Sequence, residues 1–229
     1  MEHPADNPGP GSPPGQPLRV LVAVGPTHEP IDDVRFIGNR SSGQMGLAIA
    51  GAFRDRGCAV TVARGPGIPA SPGTADLRFR TAADLLETLR SAWPDHDLLV
   101  MAAAVADYRP AGPLAGKMRR EDGPVVLRLE PTQDILAGLA AGRTQRQFVV
   151  GFALERPDEL EASALAKLAR KRADAIVANP IETMDAPDVD AQVFLADGTR
   201  RAPGRLPKPN FARWLAAEIL PRALARRDG

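Results

Sequence analysis

Short apolar runs alternate with segments of helical periodicity along most of this chain, and this alternation constrains the fold more than any other feature. The order of strand and helix predicts parallel strands with helices packed on both faces of the sheet. We therefore predict an α/β, Rossmann-like three-layer fold with a largely parallel sheet. The predicted strands are 18–24, 59–63, 97–104, 125–129, 148–153, 174–178 and 192–196, and the predicted helices are 43–56, 82–93, 134–141, 158–172 and 210–225.

The length and the N-terminal composition suggest one folded domain preceded by an extension. A chain of 229 residues is long enough for one α/β domain with a substantial core. Residues 1–17 are rich in Pro and Gly and have no periodic apolar pattern. We expect 1–17 to be a flexible extension and 18–229 to form the domain.

Charge and cysteine content exclude several classes of protein. The 29 Lys and Arg residues nearly balance the 28 Asp and Glu residues, so the overall field does not predict binding to nucleic acid or to an anionic membrane. One cysteine excludes an internal disulfide, and three scattered histidines do not predict a structural metal. No apolar run reaches the ~20 residues that span a bilayer, and no signal peptide pattern is present. We expect a cytoplasmic protein.

Two polar loops at one edge of the predicted sheet indicate a ligand site. Ser41 and Ser42 are predicted at the cap of the helix 43–56, where first-turn N–H groups attract an anion. An ordinary helix cap has the same serine and glycine sequence. The second loop, 25–33, follows the first strand and favours a site, because ligands bind beyond the carboxyl ends of parallel strands.

Familiar nucleotide motifs do not match by spacing. Gly43 and Gly46 supply G-x-x-G but not the dinucleotide pattern G-x-G-x-x-G. Gly112 to Lys117 has one residue too few for a P-loop, and Met118 stands where a hydroxyl would hold Mg²⁺.

Six segments of the chain form a recognisable combination: Gly25-Pro26-Thr27-x-Glu29-Pro30-Ile31-Asp32, Asn39-Arg40-Ser41-Ser42-Gly43, Ala102-Ala103-Ala104-Val105-Ala106-Asp107-Tyr108, Gly116-Lys117, Val150-Gly151-Phe152-Ala153 and Ile176-Val177-Ala178-Asn179. Together they resemble the phosphopantothenoylcysteine synthetase family, the C-terminal half of the bacterial bifunctional coenzyme A biosynthesis flavoprotein. The resemblance implies a stand-alone synthetase that binds no flavin, since the flavin-binding half has no counterpart in this sequence.

The resemblance implies a ligase reaction in two steps. A nucleoside triphosphate, with CTP favoured and ATP left open, activates the carboxylate of 4′-phosphopantothenate as an acyl nucleotidylate and releases pyrophosphate. The amino group of cysteine then displaces the nucleotide. Mg²⁺ is expected with the triphosphate, and a homodimer is expected because the family works as a dimer.

The resemblance also assigns roles to residues of this chain. Lys117, on a Gly-rich basic loop, is implied to balance the negative charge of the first step, and Asn39 to contact the acyl nucleotidylate. A solvated surface lysine and a turn asparagine are the structural alternatives for these two positions. The residues expected at the nucleotide are Ser41, Ser42, Gly43, Met101, Ala102, Ala103, Asp107, Lys117, Asp134, Ile135, Phe152, Lys167 and Lys171.

Two other functions remain as alternatives at this point. An NAD(P)-dependent Rossmann oxidoreductase would need the glycine pattern that is missing. A catalytically silent nucleotide-binding module would be expected to lack Asn39, Asp107 or Lys117, and all three are present.

Overall fold

The protein is described here by a computed structural model that covers residues 15–120, 123–184 and 186–229. Fourteen strands and five α-helices occur in these ranges. The strands are β1 (Arg19–Pro26), β2 (His28–Pro30), β3 (Phe36–Gly38), β4 (Ala59–Arg64), β5 (Ala75–Arg78), β6 (Leu98–Ala104), β7 (Tyr108–Pro110), β8 (Leu129–Pro131), β9 (Phe148–Glu155), β10 (Ala175–Pro180), β11 (Asp188–Val189), β12 (Gln192–Leu195), β13 (Arg200–Arg201) and β14 (Leu206–Pro207). The helices are α1 (Gln44–Arg54), α2 (Ala82–Ala92), α3 (Ile135–Ala141), α4 (Leu160–Lys171) and α5 (Lys208–Asp228).

The central sheet has eight strands in the order β13-β12-β10-β9-β6-β1-β4-β5. The six strands from β10 to β5 are parallel, and β12 and β13 extend that sheet antiparallel. The chain builds outward from β1 through β4 to β5 and then restarts at β6 on the other side. This reversal between β1 and β6 is the topological switch point at which ligands of such folds bind. The predicted fold class is confirmed.

Two layers of helices cover the sheet because the strand residues alternate in direction. Val20, Val22 and Val24 of β1 point toward α1 and α5. Leu21 and Ala23 point to the opposite face, where α2, α3 and α4 pack. Near-continuous apolar strands such as β1 are therefore buried on both faces, as expected for a parallel sheet.

Three small two-stranded antiparallel sheets lie outside the central sheet in the described ranges. They are the β2–β3 hairpin, the β7–β8 hairpin and the pair β11–β14. Strands of two or three residues are too short to show an alternating pattern, so the sequence did not predict them. The predicted strand 125–129 is wrong, because only Leu129 of this run pairs and the side chains of Val125, Val126 and Leu127 are exposed.

The predicted flexible extension falls mainly on residues 1–14, which lie outside the described residues. Gln16 belongs to the described part, and its carbonyl accepts a 2.9 Å hydrogen bond from the guanidinium of Arg227 near the end of α5. The flexibility of 1–17 stays a prediction.

Candidate functional site

A cleft of about 910 Å³ opens at the carboxyl ends of β6, β9 and β10, beside the N-terminus of α1. This volume lies in the ~300–1,000 Å³ range of small-molecule sites. Thirteen of the residues expected at the nucleotide or in catalysis line it: Asn39, Ser41, Ser42, Gly43, Met101, Ala102, Ala103, Asp107, Asp134, Ile135, Phe152, Lys167 and Lys171.

The N-terminus of α1 points into this cleft, but its cap differs from the prediction. Neither Ser41 nor Ser42 is the N-cap; Gly43 is, with φ of 68° and no side-chain cap among the described residues. A side chain at Gly43 would meet Ile68 Cδ1 at 2.7 Å and Val24 Cγ1 at 3.1 Å, so glycine is required there. The first-turn N–H groups have no intrahelical acceptor and remain available to an anion.

Three side chains from separate loops hold the segment that follows β6. The hydroxyl of buried Thr27 accepts from the N–H of Ala106 at 3.0 Å, and the hydroxyl of Thr132 donates to the Ala106 carbonyl at 2.6 Å. The side-chain amide of Asn39 donates to the Val105 carbonyl at 2.8 Å. These bonds fix the backbone that presents the exposed carboxylate of Asp107 to the cleft.

The two lysines of α4 are held at the cleft by carboxylates. Lys167 pairs with Glu155, and Lys171 pairs with Asp134 at 3.2 Å. The lysine side chains are only 29% and 22% exposed, so a solvated basic face does not describe them. Asp134 also caps α3 by accepting from the N–H of Ala137 at 3.1 Å. One turn of α4 therefore places two cations on the same wall of the cleft.

Lys117 does not line the cleft. It is exposed on the loop that follows β7, and this loop is bound to the β2–β3 turn. Gly116 and Met118, on either side of Lys117, donate their N–H groups to Asp33 and Asp32. The structure thus separates Lys117 from the thirteen residues that the cleft brings together.

The carboxylate of Asp32 is the centre of the contacts between these two loops. Desolvation raises its pKa, but hydrogen bonds from the N–H groups of Met118, Val34 and Arg35 and from the Arg35 guanidinium outweigh it. The pKa of Asp32 is consequently held well below its ordinary range.

Asn179 lies in the cleft, as the end of its predicted strand indicates, although the sequence assigned it no role. It lies near the end of β10, and its buried Oδ1 has no hydrogen-bond partner among the described residues. Arg170 and Lys208 also line the cleft. The position of Asn179 at the carboxyl end of a buried strand was the signal available in the sequence.

Two further kinds of feature are absent from the described part of the chain. No group of three or more His, Cys, Asp or Glu residues with the arrangement of a metal site occurs in these ranges. Within the same ranges, no helix combines the length and apolar character needed to span a bilayer.

The doubly wound sheet and the polar cleft at its switch point define a doubly wound α/β protein with a small-molecule type of cleft. A family model described as "DNA/pantothenate metabolism flavoprotein C-terminal domain" matches residues 16–222. The chain belongs to this family.

Curated relatives and a solved structure are similar over most of this chain. One relative is a protein named cysteine/cysteine sulfinic acid decarboxylase, from an unknown prokaryotic organism. The two are 42% identical over a segment that covers 72% of this chain and 46% of that protein. Another relative is the coenzyme A biosynthesis bifunctional protein CoaBC of Mycobacterium bovis. The two are 38% identical over a segment that covers 80% of this chain and 47% of that protein. The chain thus spans about half the length of these curated relatives.

A crystal structure of the C-terminal domain of a coenzyme A biosynthesis bifunctional protein CoaBC has the same architecture. It superposes with a TM-score of 0.77 at 32% identity and covers 90% of this chain and 98% of that domain. The described fold is therefore that of the whole C-terminal domain.

Proposed function

We propose that this chain is a ligase that joins 4′-phosphopantothenate to cysteine in coenzyme A biosynthesis. The observation that carries the proposal is the single cleft shared by Asn39, Asp107, Lys167, Lys171 and the α1 N-terminus. Similarity to the C-terminal domain of CoaBC along almost all of that domain supports it. The name of the other relative, a decarboxylase, belongs to a protein of which this chain covers less than half.

The proposed reaction has two displacements. A carboxylate oxygen of 4′-phosphopantothenate attacks the α-phosphorus of the nucleoside triphosphate, and pyrophosphate leaves with the electron pair of the broken P–O bond. The amine nitrogen of cysteine then attacks the acyl carbon of the nucleotidylate. The nucleoside monophosphate leaves, the amine gives up a proton, and the amide remains.

The cleft has the charges that the first displacement requires. Two anions must approach each other, so fixed cations and oriented N–H groups lower the barrier. Lys167, Lys171 and the first turn of α1 supply them in this chain. Each lysine already has a carboxylate partner, so a triphosphate would compete with Glu155 and Asp134 for these ammonium groups.

Lys117 is proposed as a further cation, acting on the triphosphate from its loop beside the β2–β3 turn. Asn39 is proposed to orient the acyl group of the intermediate, because its amide is already fixed by Val105. We propose that Mg²⁺ arrives bound to the triphosphate, whose oxygens are suitable ligands.

CTP is the proposed nucleotide, and ATP is the alternative. The strand end at Met101 to Ala103 would meet the base or ribose through backbone groups. Since nucleoside triphosphate and free cysteine are the proposed co-substrates, we place the reaction in the cytoplasm.

The test is a pyrophosphate assay with CTP and ATP in parallel. We expect release only when nucleotide and 4′-phosphopantothenate are both present, and cysteine consumption in the second step. Release that is independent of 4′-phosphopantothenate, or no release with either nucleotide, would contradict the proposed function.

A second copy of this chain is proposed to cover the exposed apolar side chains of the two hairpins. This surface comprises Val34, Phe36, Tyr108, Leu114, Val125, Val126, Leu127 and Leu129, each at least 40% exposed. Exposed large apolar side chains that collect in one region are typical of an interaction site, and the family resemblance favours a homodimer.

Sedimentation velocity would test the proposed dimer. Val126→Asp places a charge at a side chain that is 94% exposed, and we expect it to shift the protein toward monomer. Leu165→Asp, at an exposed leucine on α4, is the matched control and should leave the dimer intact. A monomeric wild-type protein would overturn the proposed assembly.

A further inference from the structure

The loop that carries Lys117 is fastened on both sides of this residue. The N–H of Gly116 donates to Asp33 Oδ2 at 3.1 Å, and the N–H of Met118 donates to Asp32 Oδ2 at 3.0 Å. The Gly116 carbonyl also accepts from the N–H of Asp33 at 3.2 Å. We call Asp32 and Asp33 the aspartate clamp.

The two members of the aspartate clamp differ in burial. The Asp32 side chain is fully buried and also accepts from the N–H groups of Val34 and Arg35 and from the Arg35 guanidinium. Arg35 in turn donates to the Met118 carbonyl at 3.3 Å. Asp33 is exposed, so its side chain can be changed without opening the core.

The clamp also connects Lys117 to the cleft. The β2–β3 turn that carries both aspartates leads directly into β3, whose last residue, Gly38, and the next residue, Asn39, line the cleft. The three residues of β3 span about 10 Å. The turn therefore holds the Lys117 loop about one short strand from the cleft, with the Lys117 side chain exposed.

We propose that Asp32 and Asp33 are positioning residues that act through Lys117. By fixing the backbone on both sides of the lysine, they reduce the number of loop conformations from which its ammonium group must be selected. This inference rests on the proposed function, in which Lys117 assists the first displacement.

The test uses Asp33, because substitution of buried Asp32 would also disturb the turn itself. Asp33→Ala removes the acceptor for the Gly116 N–H, and Asp33→Asn keeps an oxygen acceptor. In single-turnover pyrophosphate release we expect Asp33→Ala to slow the first step about tenfold, the effect of losing one hydrogen bond. Asp33→Asn should restore a rate near wild type.

A double variant separates positioning from a general structural role. In the Lys117→Gln background, Asp33→Ala should cause no further loss in the residual rate, because the residue through which it acts is already gone. An independent tenfold loss in that background would overturn the proposal.

A readout that does not depend on activity is cleavage by trypsin after Lys117, followed by mass spectrometry. We expect Asp33→Ala to increase this cleavage and the hydrogen exchange of the Gly116 and Met118 amides. Asp197→Ala is the matched control, since Asp197 is another exposed aspartate that accepts a backbone N–H, from Thr199 at 2.8 Å. Asp197 comes just after β12, and the last residue of β12, Leu195, pairs with Ala175 at the start of β10. The cleft lies at the other end of β10, so Asp197 is remote from it.

The outcomes distinguish the two proposals. A wild-type protein that releases no pyrophosphate overturns the proposed function, whereas faster cleavage in Asp33→Ala would still support the clamp. An active Asp33→Ala protein with wild-type cleavage, exchange and first-step rate overturns the positioning role.

Discussion

The side-chain amide of Asn39 donates a 2.8 Å hydrogen bond to the main-chain carbonyl of Val105. The two residues lie 66 positions apart in sequence, one before α1 and the other after β6. This bond joins the two loops on either side of the topological switch point, so one exposed asparagine fixes the rim of the cleft.

Asn39→Asp is expected to block the second displacement while the first proceeds. A carboxylate has no N–H to donate to Val105 and repels an acyl oxygen, so product formation should fall about 10²-fold or more. The acyl nucleotidylate should accumulate and be recovered by rapid acid quench. An Asn39→Asp protein with undiminished product formation would refute the assigned role.

Lys117→Gln is expected to impair the earlier step instead. Loss of one cation from the triphosphate should slow pyrophosphate release about 10²-fold or more, with no accumulation of the intermediate. Arg78→Gln, at an exposed arginine on β5, is a suitable control for loss of a surface cation. Unchanged release by Lys117→Gln would exclude the lysine from the first step.

Gly46→Ala is expected to lower the free energy of unfolding by up to about 2 kcal/mol. A Cβ at Gly46 would meet two methyl groups of Val24 at 2.8 and 2.9 Å, which forces α1 away from β1. Overpacking of this kind costs about 1–3 kcal/mol, more than the ~1 kcal/mol that alanine gains in helix propensity. Nucleotide affinity should fall as well, because the α1 N-terminus moves.

The matched control for Gly46 is Gly138, an exposed glycine of α3 whose Cβ would meet nothing within 4 Å. Gly138→Ala should raise the unfolding free energy by about 0.5–1 kcal/mol. Chemical denaturation of both variants checks the pair, and equal effects would contradict the packing argument.

His96 is expected to make the protein less stable as pH falls below neutrality. Burial lowers the pKa of His96 below its ordinary 6.5 and outweighs the opposing effect of the Ala92 carbonyl, which bonds to one ring nitrogen at 2.7 Å. The other ring nitrogen bonds to the Thr61 hydroxyl at 2.8 Å. The folded state then binds fewer protons than the unfolded state. Its stabilising contribution is present above about pH 6.5 and is lost as pH falls through the lower folded-state pKa.

His96→Asn provides the comparison for this titration. Asparagine can keep an N–H near the Ala92 carbonyl but has no titrating ring, so stability should depend less steeply on pH between 7.5 and 5.5. Carboxylates titrate in both proteins and cancel in the comparison. Parallel stability curves for wild type and His96→Asn would contradict the assignment.

The sequence was sufficient to predict the strands, the helices and their layers, but not the local geometry of the site. Apolar runs such as 18–24 have nearly every residue buried, so strand positions and fold class could be read from them. The run 125–129 has the same composition, yet Val126 is 94% exposed. Composition alone does not predict whether other elements of the fold pack against such a run and bury it.

The cap of α1 illustrates a second limit. Serine is a favourable N-cap, so the sequence predicts Ser41 and Ser42 at the cap. The close approach of Ile68 and Val24 instead requires a glycine with positive φ at position 43. That constraint comes from residues distant in sequence and cannot be read from the motif.

The most direct test of the central claim is an oxygen-transfer measurement. The protein is incubated with nucleoside triphosphate, cysteine and 4′-phosphopantothenate labelled with ¹⁸O in the carboxylate. If the carboxylate attacks the α-phosphorus, one label appears in the nucleoside monophosphate and none in pyrophosphate. Label in inorganic phosphate, or amide formed with no label transferred to the nucleotide, would contradict the acyl nucleotidylate on which the account depends.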